Sequence, residues 1–331
     1  MKSIFLQKHR SSLVIKELKS RDIDDYEVRI KTAYAGLSFT DRIIQQGLYK
    51  YQRQYMLTPY VPGFEASGYV LEVGKKITSL GIGDSVVVLQ RQGCLSSEII
   101  TNIKNVIKIP KELDIAIAAS LPVNFFTASH ALNNIVKIFP NSKLLVVSAA
   151  GGVGGMLTQL ASEQHHVIGL VGQKEKIAYV KKLGADEVYT YEDYKTKNDK
   201  FDVILTASGK NIESYLERLD VNGKIVIYGF HSMVPKNLRG AVGALFNYLK
   251  LPNVRPLDLV YTNKTVSGFN IIHLDTESKE FTSSKEHLLE VLSKGRLPNR
   301  HKIHEYEAEE VNAALMDLAG GKLCGKIVIK F

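Results

Sequence analysis

The sequence predicts an α/β protein built in two parts. One is a mostly antiparallel β part, a barrel or sandwich, over the first 120 residues, and the other is a doubly wound parallel sheet that follows it. Three observations predict it. Short β-branched runs separated by glycine turns fill the first 120 residues. Strands and helices alternate from about residue 123. Two helical stretches and one strand then close the chain.

Taken in order, EVRIKTAYAGL (27–37), GYVLEVG (68–74), DSVVVL (84–89) and NVIKIP (105–110) read as strands. Leu80-Gly81-Ile82-Gly83-Asp84 reads as a turn between two of them. Ser38, with Asp41 three residues on, is a capping pattern that opens a short helix. KLLVVSAA (143–150) is a continuous apolar run, as a strand covered on both faces requires. GVGGMLTQLASEQ (152–164) follows with helical spacing, Val153, Leu157, Leu160 and Ala161 lying on one side. HVIGLVG (166–172), EVYTY (187–191), FDVILTA (201–207) and GKIVIYGF (223–230) are further strands. EKIAYVKKLGA (175–185) and NIESYLERLD (211–220) are the helices among them. SKEHLLEVLSKG and EEVNAALMDLAG are the closing helices. The last strand, GKIVIKF, is expected to return to the β part, which needs an edge partner.

Composition narrows the function classes. With 331 residues, 45% hydrophobic and 23% charged, the chain matches a soluble globular protein with room for two ordinary domains. It holds no run of eighteen apolar residues, which argues against a spanning helix. Charges interrupt MKSIFLQKHRSSLVIKEL too often for a signal peptide. Cys94 and Cys324 are the only cysteines, so neither a disulfide framework nor a thiolate zinc cluster is expected, and the expected location is cytoplasmic. The formal charge of +9 favours an anionic partner. No basic-aromatic repeat accompanies it, so a phosphorylated cofactor is a simpler partner than a nucleic acid.

VVSAAGGVGGM (146–156) carries the most specific signal. It follows a buried strand and opens a helix, the context that a dinucleotide fingerprint requires. Ala149, Gly151 and Gly154 fall at its three glycine positions. Gly151 would let the backbone approach a pyrophosphate, and Gly154 would let helix and strand pack closely. Ala150, Gly152 and Val153 complete the turn. The same residues would also serve a tight turn with no ligand. Strand, turn and helix together favour the nucleotide. A ribose-binding acid would stand at the end of the second strand, where Gly172 and Gln173 occur instead. Lys174 and Lys176 lie just beyond, so charge favours NADP(H) over NAD(H), although Glu175 sits between them.

With these pieces in place the chain resembles the medium-chain dehydrogenase/reductase superfamily over essentially its whole length. GLSFTDRIIQQGLY (36–49), PGFEASGYVLEVG (62–74), GIGDSVV (81–87), LPVNFFTASHAL (121–132), SAAGGVGG (148–155), KKLGADEV (181–188) and CGKIVIKF (324–331) carry the resemblance. Within it the chain looks most like the zinc-free quinone oxidoreductases, and among these the vesicle amine transport protein homologues. The resemblance implies a GroES-like catalytic domain from 1–122 and 268–331 and a Rossmann nucleotide-binding domain from 123–267. It implies a cofactor between them and a homodimer. It further implies Asn124 and Thr127 near the nicotinamide, Tyr191 near the adenosine ribose, and Tyr228, Gly229, Phe269 and Asn270 along the cofactor.

The zinc members of this superfamily read Gly-His-Glu where this chain reads Gly63-Phe64-Glu65, and carry a cysteine where it has Ser38. No two of the nine histidines stand at i, i+4 with an acid beside them, so no catalytic metal is expected. Without one, the expected chemistry is hydride transfer to a quinone or to the β-carbon of an α,β-unsaturated carbonyl. Tyr49 matches a substrate-cleft tyrosine of the family, and Tyr49 and Ser38 are the candidate donors to the developing oxyanion. A loop tyrosine packing its ring on a neighbour, with Tyr51 and Tyr55 close by, is an equal alternative for Tyr49. Glu65 is expected to anchor a bend, made by Gly63 and Gly68, through a basic side chain or a backbone N–H. The rival to an enzyme is a nucleotide- or lipid-binding member that kept the fold, and a further option is an enoyl-thioester reductase. Residues 236–264, basic and apolar together, would suit a lid, a dimer surface, packing on the same domain, or a membrane contact.

Overall fold

The computed structural model describes residues 1–49, 57–137, 139–229, 254–295 and 301–331. They form two compact units, Met1–Phe126 with Leu274–Phe331, and Thr127–His273. Most of the basic-apolar 236–264 segment lies outside the described residues. Its described end is the helix Pro256–Thr262, which exposes Leu257, Val260 and Tyr261.

In the first unit, β1 (Lys2–Phe5) and β2 (Val14–Glu17) form an antiparallel pair. Its main sheet uses β3 (Glu27–Leu37), β4 (Glu65–Val73), β5 (Ser85–Leu89), β6 (Glu98–Asn102), β7 (Val106–Lys108), β14 (Ile303–Glu307) and β15 (Lys326–Lys330). The order is β14-β15-β3-β4-β5-β7, with β6 also pairing to β3. Every pairing is antiparallel except β14 with β15. The closing strand does return to this sheet, but β15 lies between β14 and β3 and so is not its edge. Alternating burial along β3 and the buried faces of β5 and β15 supply the core, from Val28 and Ile30 to Val86, Val88 and Ile329.

The second unit is a parallel sheet of β8 (Lys143–Val147), β9 (His166–Val171), β10 (Glu187–Thr190), β11 (Phe201–Thr206), β12 (Leu219–Ile227) and β13 (Thr265–Gly268). The order β10-β9-β8-β11-β12-β13 means that successive connections run outward in opposite directions from β8 and β11. That reversal is the topological switch point where such sheets bind ligands, beyond the carboxyl ends of the strands.

Several expectations change. Glu65 does not stand at a bend but opens β4. Gly63 makes the turn, with φ of +97°, while Gly68 lies inside the strand, where a Cβ would come within 2.0 Å of the Lys31 carbonyl oxygen. Close approach at an irregularity in the β3–β4 register, not bending, is what Gly68 provides. A helix unassigned from the sequence, Leu121–Ser129, continued by a π-helical stretch, His130–Val136, precedes the parallel sheet. The helix expected over 175–185 is a 3-10 turn, Lys174–Lys176, followed by Ile177–Lys182.

Candidate active site

In the second unit, β8 ends at Val147 and the helix Gly152–Ala161 begins four residues after Ser148, capped by Gly151. Ser148 turns the chain with φ of +63°, a left-handed conformation that costs of order 1–3 kcal/mol in a residue other than glycine. Its Oγ lies 2.9 Å from the Tyr191 hydroxyl, which holds the strained residue in place. A Cβ on Gly154 would come within 2.3 Å of the Ser148 carbonyl oxygen, so helix and turn pack as closely as they do only because Gly154 has none. Gly151 differs: a Cβ there would come no nearer than 3.5 Å to that oxygen, and the residue is exposed. The backbone at Gly151 is therefore open to an outside group, next to the positive end of a ten-residue helix.

The other second-unit candidates fall at the same edge of the sheet. Gly172 follows β9, Tyr191 follows β10, Tyr228 and Gly229 follow β12, and Phe269 and Asn270 follow β13. Parallel strands bring all these carboxyl ends to one side. Lys174 is exposed and Lys176 half-buried in the 3-10 turn after Gly172. The Tyr228 hydroxyl donates to the Val147 carbonyl oxygen at 3.4 Å, and burial pushes its pKa up. The Phe269 ring packs tilted against His130, ring centroids 4.7 Å apart. Thr127 is buried on the Leu121–Ser129 helix.

In the first unit, Ser38 follows β3 and caps the helix Phe39–Gln45 in a reciprocal capping box with Asp41. Asp41 Oδ2 accepts from the Ser38 amide at 2.8 Å and from the Ser38 hydroxyl at 2.9 Å. Asp41 is only 4% exposed, and its Oδ1 has no hydrogen-bond partner among the described residues. Burial pushes its pKa up to about 6, with the Ser38 bonds and Lys326 opposing and Glu65 adding to the rise. Glu65 is fully buried. It lies 2.6 Å from Lys326 Nζ, itself 5% exposed, and accepts from the Val123 amide at 2.8 Å. Both anchors expected for it, a basic side chain and a backbone N–H, are present. Asn124 is buried, with Nδ2 3.5 Å from His301 Nε2. Burial, then the Lys326 charge, pushes the His301 pKa down to about 4. Burial also raises Tyr60, whose hydroxyl has no partner among the described residues, and the Cys94 thiol. Tyr49 is 7% exposed, so a donor role for it needs the acceptor to reach a hydroxyl that is nearly out of water.

Such a concentration of buried ionisable groups with displaced pKa values marks a candidate functional site. Local sequence signals point to Ser38 and Glu65, and the family resemblance to Asn124, but neither points to Lys326, His301 or Tyr60, which come from remote parts of the chain. One available hint is that Lys326 heads a strand whose next three residues, Ile327, Val328 and Ile329, are all apolar. Asp41 was legible as a cap, not as a buried acid.

The two units match known families. Residues 24–111 match the alcohol dehydrogenase GroES-like domain, and residues 152–284 match the family described as zinc-binding dehydrogenase. The bovine (Bos taurus) quinone oxidoreductase-like protein 2 is 30% identical over 96% of this chain and 88% of that protein. The zebrafish (Danio rerio) synaptic vesicle membrane protein VAT-1 homolog is 27% identical over 92% of this chain and 64% of that protein. The crystal structure of the Thermus thermophilus quinone oxidoreductase, also described in complex with NADPH, superposes with a TM-score of 0.80 at 25% identity over the whole of both chains. A GroES-like sheet with an inserted Rossmann sheet defines an oxidoreductase of the alcohol-dehydrogenase type. The chain belongs to the medium-chain dehydrogenase/reductase superfamily, alongside its quinone oxidoreductase-like and VAT-1-homologue members.

The zinc that one family description names does not fit these residues. Phe64 offers no donor atom, and the Glu65 carboxylate is committed to an ammonium 2.6 Å away, whose charge would repel a cation. Among the described residues no group of three or more His, Cys, Asp or Glu side chains could hold a metal ion. Among them, too, no helix is long and apolar enough to cross a membrane.

Proposed function

We propose that the chain is an NADPH-dependent reductase of quinones or α,β-unsaturated carbonyl compounds that uses no metal. The observation that carries this reading is the turn after β8. It lies at the switch point of the sheet, with an open backbone at Gly151 and a close approach that only Gly154 permits. The amides of Ala150, Gly151, Gly152, Val153 and Gly154 would bind the pyrophosphate. Gly172 leaves room at the end of β9, where a Cβ would meet only the Tyr191 ring at 3.9 Å. Lys174 and Lys176 would there attract a 2′-phosphate, which an acid would repel. Tyr191 is assigned to the adenosine ribose, Tyr228, Gly229, Phe269 and Asn270 to the length of the cofactor, and Asn124 and Thr127 to the nicotinamide. When bound, the reduced nicotinamide supplies a hydride to the acceptor. Ser38 and Tyr49 are the proposed donors toward the oxygen that becomes negative.

Reduction without a metal suits acceptors already activated by conjugation, which is why quinones and enones are preferred over simple ketones. The names of the quinone oxidoreductase relatives agree. The test is oxidation of NADPH against a soluble quinone, an enal and an enoyl thioester, with nucleotide affinity measured separately. Reduction of the quinone or the enal supports the proposal, and reduction of the thioester alone redirects it. Tight NADPH binding with no acceptor reduced would favour a nucleotide-binding protein that kept the fold. Tighter binding of NADH than NADPH would refute the role given to Lys174 and Lys176.

A further inference from the structure

Reduction of a conjugated carbonyl needs a proton as well as a hydride, and the first unit holds an acid that its architecture alone does not explain. Burying a carboxylate carries a desolvation cost that a helix cap near solvent does not incur. One buried for structural reasons ordinarily has both oxygens satisfied. Asp41 is 4% exposed and Oδ1 has no partner among the described residues, while Oδ2 lies 2.9 Å from the Ser38 hydroxyl. Ser38 directly follows β3, and the Glu65–Lys326 pair lies within electrostatic reach of Asp41.

We propose that Ser38 and Asp41 form a proton-delivery pair, in which the proton that completes reduction leaves the Ser38 hydroxyl and is replaced from the Asp41 carboxyl. The inference rests on the reductase reading above. Both electrons come from the reduced nicotinamide, so the pair moves protons only. The Ser38 O–H bond breaks as an O–H bond forms on the enolate or quinol oxygen of the acceptor. The Ser38 hydroxyl, which donates to Asp41 Oδ2 in the resting protein, turns its proton to the acceptor, and the Asp41 O–H bond breaks as a protonated Oδ2 donates back and restores it. Asp41 is left as a carboxylate and takes a proton from water before the next turnover. Serine alone is too weak an acid for the step, and a carboxyl behind it removes that limit.

The surroundings of Asp41 suit the role. Burial keeps the carboxyl protonated up to about pH 6, Glu65 favours the protonated form, and Lys326 and the two Ser38 bonds favour the ionised form. Tyr60 and the Cys94 thiol also feel the Asp41 charge, and burial raises both. Neither competes as a proton store near neutral pH.

The test compares wild type with Asp41→Asn and Ser38→Ala, using NADPH and a soluble enal. Asparagine keeps a side-chain oxygen that can accept from the Ser38 amide, so the capping-box role of Asp41 alone survives the first change. Wild-type kcat should fall as pH rises through about 6. Both variants should lose that limb, with kcat on its acid side reduced by about 100-fold or more. A readout independent of turnover is the carboxyl-carbon NMR titration of the nucleotide-free protein. It should show a midpoint near 6 that is missing from Asp41→Asn. A variant that keeps the pH limb, or an Asp41 carboxyl titrating at the ordinary aspartate value, overturns the proposal. If Asp41→Asn does not fold, Ser38→Ala and the wild-type titration decide. Wild type that reduces no acceptor overturns the reductase reading and the pair together. Wild type that is active alongside an equally active Asp41→Asn overturns the pair alone.

Discussion

Removing one partner of the Glu65–Lys326 pair should destabilise the first unit far more than removing both. The nitrogen–oxygen distance is 2.6 Å and both side chains are almost wholly out of water. At an effective dielectric constant near 20 the Coulomb attraction at that distance is roughly 6 kcal/mol. Desolvation costs several kcal/mol for each ion, so the intact pair contributes little net stability. A lone buried charge keeps the desolvation penalty without the attraction. Glu65→Gln preserves an acceptor for the Val123 amide and strands the Lys326 ammonium. Lys326→Met strands Glu65. Each change should cost about 3–5 kcal/mol, and the double variant much less than the sum. The chain has no tryptophan, so urea unfolding is best followed by far-UV circular dichroism, with separate transitions fitted if the two units unfold independently. Single variants costing under about 1 kcal/mol, or a strictly additive double variant, would refute this account. Glu65→Gln that folds normally but loses turnover would transfer Glu65 from anchor to chemistry.

Glycine changes in the phosphate turn should separate packing from binding. Gly154→Ala places a methyl 2.3 Å from a backbone oxygen and should lower thermal stability, while Gly151→Ala should leave the fold intact and weaken NADPH binding, read by fluorescence titration. Replacing Lys174 and Lys176 together with alanine should weaken NADPH by about tenfold and leave NADH nearly unchanged; equal losses for both nucleotides would dissociate the lysines from the 2′-phosphate. His301 should make the fold acid-sensitive. Its pKa falls from 6.5 to about 4 on folding, so its contribution is complete above 6.5 and is lost as pH falls through about 4, a change of roughly 3 kcal/mol that His301→Gln should flatten in unfolding measured against pH. Asp41 acts in the opposite sense: its raised pKa favours the folded state below 3.8, and that benefit disappears as pH rises through about 6.

What could be read locally was read well. The strand Lys143–Val147, the turn, and the helix Gly152–Ala161 form one contiguous stretch whose apolar run, glycine spacing and helical periodicity all act within a few residues. The same holds for Ser38 and Asp41 as a capping pair, three residues apart on one chain turn. Short, half-exposed strands such as Val14–Glu17 and Ile303–Glu307 escaped notice because neither alternation nor an apolar run distinguishes them from loops. The helix Leu121–Ser129 is hard to see in the sequence because it is buried nearly all round, polar Asn124, Thr127 and Ser129 included, so its pattern shows little periodicity.

Sequence alone therefore determined the two-part α/β architecture, the parallel sheet and the nucleotide turn, because near-neighbour chemistry governs each of them. Tertiary structure decided what Glu65 and Asp41 are. A carboxylate's state depends on which charges and how much water surround it, and those surroundings come from remote strands. β15 brings Lys326 to within 2.6 Å of Glu65, and burial around the Phe39–Gln45 helix turns a common cap into an acid with a pKa of about 6.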